Sequence, residues 1–162
     1  MEMARYLSDD AEGFESAVYE LKRVDHLIYV SLKYTRTVDV LKNIIGRLIN
    51  TYDFLWTAIL VQAERDRKIF EVPVAPAAKC KKIKEIYDDE RIDDEIKFYL
   101  LLRQINKSEY TSHQEFRRHV TMRATLPNGD IEEINIDNIT EHYKRAKDFL
   151  EYFHKTYHVD EE

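Results

Sequence analysis

Residues 37–68 read TVDVLKNIIGRLINTYDFLWTAILVQAERDRK, and this stretch decides the fold. Val38, Leu41, Ile45, Leu48, Tyr52, Leu55 and Ile59 follow one another in steps of three and four. That spacing lines one face of an α-helix. Ile44, Ile49, Trp56 and Leu60 widen the stripe. So wide a stripe meets more than one neighbour, which predicts the central helix of a bundle. Gly46 interrupts the run, at a cost of about 1 kcal/mol relative to alanine. The expected reason is the close approach of a neighbouring helix.

Upstream, Phe14, Ala17, Val18, Leu21, Val24, Ile28 and Leu32 recur at helical spacing. They predict a first helix over about 9–34, opened by Asp9 with Glu12 three residues later. Thr35-Arg36-Thr37 breaks the pattern, and either threonine can cap the second helix. So short a joint folds the two long helices into an antiparallel pair. The alternative is a nearly continuous helix across Tyr34–Val38, which only an oligomer could cover.

Downstream, Val72-Pro73-Val74-Ala75-Pro76 stops the helix and forms an extended linker. A third helix over about 76–89 offers Cys80, Ile83 and Tyr87, and a fourth over about 92–105 carries Ile96, Tyr99, Leu100 and Ile105. Residues 106–115 have no period and read as a loop. From Phe116 the period becomes two, with Val120, Met122, Ala124 and Leu126 on one face. Pro127-Asn128-Gly129-Asp130 is a turn, followed by a second strand over Ile131–Asp137. A three-residue loop at Pro127-Asn128-Gly129 sets Met122 opposite Ile134 and Val120 opposite Ile136. It also faces Arg123 with Glu133 and His119 with Asp137. Asn138 with Glu141 opens a final helix that buries Tyr143, Ala146, Phe149, Leu150, Phe153 and Tyr157. The fold class is therefore mainly α. One helical domain over 1–162 is built on the long antiparallel pair, with a single β-hairpin (about 116–137) before the last helix.

Composition agrees. The chain has 162 residues, one domain's worth, and only three glycines and three prolines, few for a loop-rich or β-rich protein. Lys and Arg number 25 against 31 Asp and Glu, and the net charge of −6 argues against a generally basic nucleic-acid binder. The lone Cys80 removes any internal disulfide framework and fits a reducing cytoplasm. The start Met1-Glu2-Met3-Ala4-Arg5 is not that of a signal peptide, and unbroken apolar runs are too short for a membrane span.

The basic strand Arg117-Arg118-His119-Val120-Thr121-Met122-Arg123 is the most suggestive local feature. Arg117, Arg118 and His119 are candidate phosphate contacts, set against neutralisation by the cross-strand acids. Arg118 falls on the apolar face of its strand, so it needs a buried acid, an edge position or a site. A second basic group, Arg65, Arg67, Lys68, Lys79, Lys81, Lys82 and Lys84, brackets the proline linker; Lys81 and Lys82 are its candidate nucleic-acid contacts. A solvated surface offset by Glu64, Asp66, Glu71 and Glu85 is its plainer reading.

Other constellations read as structural. Glu151, His154 and His158 have metal-ligand spacing, but on an ending helix, so no metal is expected. Cys80 reads as a small core residue with acidified reactivity as the alternative. Asp25 reads as a polar pair with Arg36 or Lys33 that fixes helix register. No glycine-rich phosphate loop, nucleophile elbow or Cys-x-x-Cys occurs, and no cofactor is expected.

Helices followed by a β-hairpin and a final amphipathic helix make the chain similar to the HEPN superfamily. The similar part is Phe98–His154, including Phe98-Tyr99-Leu100-Leu101-Leu102-Arg103 and Glu115-Phe116-Arg117-Arg118-His119-Val120. Active HEPN ribonucleases carry an arginine closely followed by a histidine. Here Arg103 precedes His113 by ten residues and Arg145 precedes His154 by nine. The resemblance thus implies a non-catalytic member that works through dimerisation or partner binding. The texture also resembles uncharacterised archaeal proteins. The expected function is a non-enzymatic, cytoplasmic interaction module, a homodimer with a protein or RNA partner and no membrane. The alternative is an RNA-associated protein using the basic strand and the basic rim, and a metal- or thiol-dependent enzyme ranks third.

Overall fold

A computed structural model describes residues 10–157, with side chains from Gly13 onward. The start expected at Asp9 and the second histidine of the metal-spaced pair, His158, lie outside them. Helix α1 (Asp10–His26) passes through a π-helical turn (Leu27–Ser31) into one last turn (Leu32–Tyr34). Thr35 is extended, and so is Thr37, whose Oγ1 accepts the Val40 N–H at 3.3 Å. The chain therefore breaks and restarts as α2 (Val38–Arg65), 28 residues long and about 42 Å in length. Gly13 of α1 lies against Ala58 and the Phe54 carbonyl, and Glu20 against Arg47, so the two helices run antiparallel.

Helix α2 ends at Arg65 because Arg67 turns left-handed (φ 61°) and Lys68 N–H reaches back to the Ala63 carbonyl at 2.9 Å. This is a Schellman-type ending without its usual glycine. Helix α3 (Pro76–Ile86) starts on its proline, which suits a first helical turn because no N–H is wasted there. Helix α4 (Glu90–Lys107) starts two residues before the expected Ile92. Asp89 caps it by accepting the Arg91 and Ile92 N–H groups at 2.8 and 3.2 Å. The last helix, α5 (Ile136–Tyr157), also starts early. Asn135 and Asn138 exchange side-chain to backbone bonds at 2.9 Å, so Asn138 is the inner member of the cap.

Every exposed residue of α2 is polar: Asp39, Asn43, Asn50, Glu64 and Arg65. Its apolar arc is covered by α1, α3, α4, α5 and the sheet of the same chain. The centre of this core is aromatic: Tyr52 stacks on Trp56 (5.8 Å), and Trp56 meets Tyr99 (5.9 Å) and Phe149 (5.7 Å). Burying each such ring stabilises by about 1.5–3 kcal/mol. Among the described helices, α2 alone is long and apolar enough to cross a membrane, but 61% of that window is buried inside the fold, as in a core helix.

The expectation for Gly46 is corrected. A Cβ on Gly46 would meet nothing within 4 Å, so no helix approaches it. The close contact is at Gly13, whose Cβ would touch Ala58 Cβ at 3.4 Å.

The hairpin is one part of a three-stranded antiparallel sheet, order β1-β2-β3, of β1 (Glu109–His113), β2 (Thr121–Thr125) and β3 (Ile131–Asn135). The expected register holds where the strands pair, with Met122 facing Ile134 and Arg123 facing Glu133, but the expected Val120–Ile136 pair does not form because Ile136 already begins the last helix. Gly129 takes φ +95° in the turn, and Leu126 N–H bonds the Asp130 carbonyl. Strand β1 falls where a loop was expected. Four of its five residues are exposed, so it shows no apolar alternation and is defined only by its backbone pairing with β2. Conversely, the strand does not begin at Phe116.

Candidate functional site

Residues 114–119 form a tight loop instead of strand. Gln114 (φ 55°) and Phe116 (φ 67°) are both left-handed, and Arg117 and Val120 donate back to the Gln114 and Arg117 carbonyls. A bulky side chain at positive φ is an outlier that costs about 1–3 kcal/mol and persists only when surroundings fix it. Here they do. Phe116 N–H donates to the Arg36 carbonyl at 2.6 Å, and Glu115 Oε2 accepts the Val38 N–H at 2.7 Å. Glu115 thereby sets a carboxylate on the positive end of α2. The loop is riveted to the α1–α2 corner, yet Phe116 stands 75% exposed and Tyr34, beside that corner in sequence, 82%.

The candidate cations follow Phe116 in the same loop. Arg117 and His119 have no side-chain partner among the described residues and are exposed. Arg118 is not on an apolar face, because β2 begins only at Thr121. It pairs with Asp137 at 2.9 Å, and the two side chains are 49% and 76% exposed. Asp137 was expected opposite His119; the turned backbone gives it to Arg118. Arg123 pairs with Glu133 as expected, at 2.8 Å.

Lys81 and Lys82 are elsewhere. Helix α3 sits against the second half of α2, where Lys79 Nζ donates to Thr57 Oγ1 at 2.9 Å. Thr57 is about 30 Å along α2 from the Val38 end that holds the loop. The structure thus gathers Arg117, Arg118 and His119 and separates them from Lys81 and Lys82. Lys82 pairs with Glu85 at 3.3 Å. At that far end Lys68 lies over the Tyr87 ring at 5.0 Å.

The interior carboxylates are joints between helices. Glu95 is 1% exposed; it accepts from Tyr52 at 2.6 Å and from Arg145, whose guanidinium lies 4.4 Å from the centre of the Phe98 ring. Burial first, then the Glu95 charge and hydrogen bond, push the Tyr52 hydroxyl well above its ordinary range. Asp53 accepts from Tyr99 and lies 3.9 Å from Arg103. Asp25 pairs with neither Arg36 nor Lys33 but accepts from Tyr143 of α5 at 2.7 Å. Asp89, besides capping α4, accepts from Tyr152 and Tyr157. The sequence carried a signal for these joints: a tyrosine inside an apolar stripe needs an acceptor for its hydroxyl.

Cys80 is buried, and burial with the nearby Asp53 charge pushes its thiol up to about 11, away from reactivity. His154 packs on Phe14 at 5.0 Å, and no group of three metal-capable residues occurs among the described residues. No protein-family model, no curated protein and no solved structure matches the chain.

Proposed function

We propose that this protein is a non-enzymatic binding module of the cytoplasm that takes single-stranded RNA on its 114–119 loop. One observation carries the reading: Phe116 is held at positive φ by its own N–H bond to the Arg36 carbonyl and by the Glu115 carboxylate on the Val38 N–H, and it is presented to solvent next in sequence to Arg117 and near His119, which have no side-chain partner among the described residues. Exposed rings with adjacent cations suit bases that stack and phosphates that need charge. A local patch of this kind is compatible with a net-acidic chain, because contact is local and screened beyond about 10 Å. The HEPN-like kinship belongs to this proposal through the order of helices, sheet and long last helix, and it assigns no catalytic residue.

The homodimer reading drew on the breadth of the α2 stripe. The chain's own helices cover that stripe, so its breadth no longer argues for a second copy. The test is fluorescence anisotropy with a short labelled single-stranded RNA. Binding weakens with salt, and Phe116→Ala lowers affinity about tenfold, the worth of one stacked base. An unchanged affinity in that variant, or no binding at low salt, refutes the proposal.

A further inference from the structure

The polar strip of α2 is the floor of a groove separate from the 114–119 loop. Asn43, Gly46, Arg47, Asn50 and Asp53 line it from α2, and Arg103 and Asn106 line it from α4. The groove encloses about 510 Å³. Past Asn43 and Arg47 it continues beside Lys22, Arg23 and His26 of α1. In a chain of net charge −6, four permanent cations here face two carboxylates, Glu20 and Asp53.

Gly46 is the unusual element. It lies in mid-helix, where glycine is unfavourable, yet neither positive φ nor a close neighbour requires it. What its missing side chain does is leave the floor open. The two arginines are each held at one corner. Arg47 uses Nη1 for both Glu20 oxygens, at 3.1 and 3.4 Å. Arg103 uses Nη1 for Tyr99 at 3.5 Å and for Asp53 at 3.9 Å. Their remaining N–H groups make no bond to the described residues. The side-chain amides of Asn43 and Asn106 are likewise without partners there. The two carboxylates orient the arginines and repel an incoming anion only weakly. Glu20 is paired with Arg47 and hydrogen-bonded by Asn50, and Asp53 is hydrogen-bonded by Tyr99 and lies near Arg103. Burial also pushes the Asp53 carboxyl above its ordinary range.

We infer that the groove over Gly46 is a binding site for a phosphate group, clamped by Arg47 and Arg103 with the Asn43 and Asn106 amides as further donors. Guanidinium forks and amide N–H groups match the tetrahedral oxygens of a phosphate ester. The ester comes either from a free mononucleotide or from a nucleic-acid backbone.

The test is a titration of the full chain followed by amide NMR. The probes are inorganic phosphate, adenosine monophosphate and a short single-stranded RNA, with sodium chloride at matched ionic strength as control. Phosphate-bearing probes are expected to shift Asn43, Gly46, Arg47, Arg103 and Asn106. Arg103→Gln weakens binding about tenfold, as expected for a lost charge-assisted bond. Gly46→Gln fills the floor and weakens binding without lowering the melting temperature. Saturation by adenosine monophosphate identifies a nucleotide site; saturation by RNA alone identifies a strand path. Phe116→Ala leaves these shifts unchanged, so failure at the loop and failure at the groove are separate results. Equal shifts with chloride, no localised shift with any probe, or full affinity in both groove variants overturns the inference.

Discussion

Two arginine–carboxylate pairs in this protein have similar geometry and opposite meaning. Arg118–Asp137 closes to 2.9 Å, with both partners largely in water. Arg145–Glu95 is longer, 3.2 Å, but its carboxylate is 1% exposed and also receives the Tyr52 hydroxyl. Distance ranks the first pair higher; burial reverses the order. Water screens the exposed pair, whereas a buried carboxylate left alone keeps its whole desolvation cost. The same contrast divides the molecule. Inside, tyrosines and acids are committed to one another across helices. At the 114–119 loop and over Gly46, cations keep unused N–H groups.

The largest effect is expected for Glu95→Ala. It strands the buried Tyr52 hydroxyl while Arg145 keeps access to water, and denaturant unfolding is expected to show a loss of about 1–3 kcal/mol. A loss below about 1 kcal/mol would show that the Glu95 joint is dispensable. Gly46→Ala is expected to act in the opposite direction, raising stability by up to about 1 kcal/mol, because the helix gains propensity and the methyl has space. A destabilised variant would mean that the floor is not open.

Asp89 carries the buried side of this contrast into a pH dependence. Burial alone would raise its carboxyl, but hydrogen bonds from Tyr152, Tyr157 and the Ile92 and Arg91 N–H groups prevail and hold it below the usual range. A depressed carboxylate stabilises above its unfolded pKa of about 3.9 and loses that contribution as pH falls through the folded value. Melting temperatures taken downward from pH 5 should therefore fall less steeply for Asp89→Asn than for the parent. Parallel curves would remove Asp89 as the cause. The smallest effect is expected for Arg118→Ala, within about 0.5 kcal/mol by thermal unfolding. A larger loss would make the surface pair structural.

The helices were legible because burial repeats along them at helical period, and Thr37 marked the restart. The sheet register was legible from Pro127-Asn128-Gly129, since a turn of fixed length fixes every cross-strand pair. Strand β1 was not, because an exposed edge strand is made by backbone bonds and leaves no pattern in side chains. Arg117, Arg118 and His119 were visible as a basic cluster, but not their presentation. That depends on Arg36 and Val38, distant in sequence, holding a left-handed Phe116. Gly46 misled for a related reason: sequence shows that a side chain is missing, not whether a neighbour or empty space takes its place. The tyrosine–carboxylate joints were half legible, each hydroxyl demanding an acceptor that only the packing could choose.

The rivet between the 114–119 loop and the α1–α2 corner also sets an order of events. Glu115 and the Val38 N–H it caps are 77 positions apart. Helices α1 and α2 can pair as soon as both have left the ribosome, whereas this contact waits several seconds more at a synthesis rate of about 5–20 residues per second. Phe116 and its neighbouring cations therefore acquire their arrangement only after the opening half of the domain has had time to settle. A nascent chain can bring its first two helices together and still lack the loop's arrangement. The loop is thus a built-in proof that folding has reached the sheet.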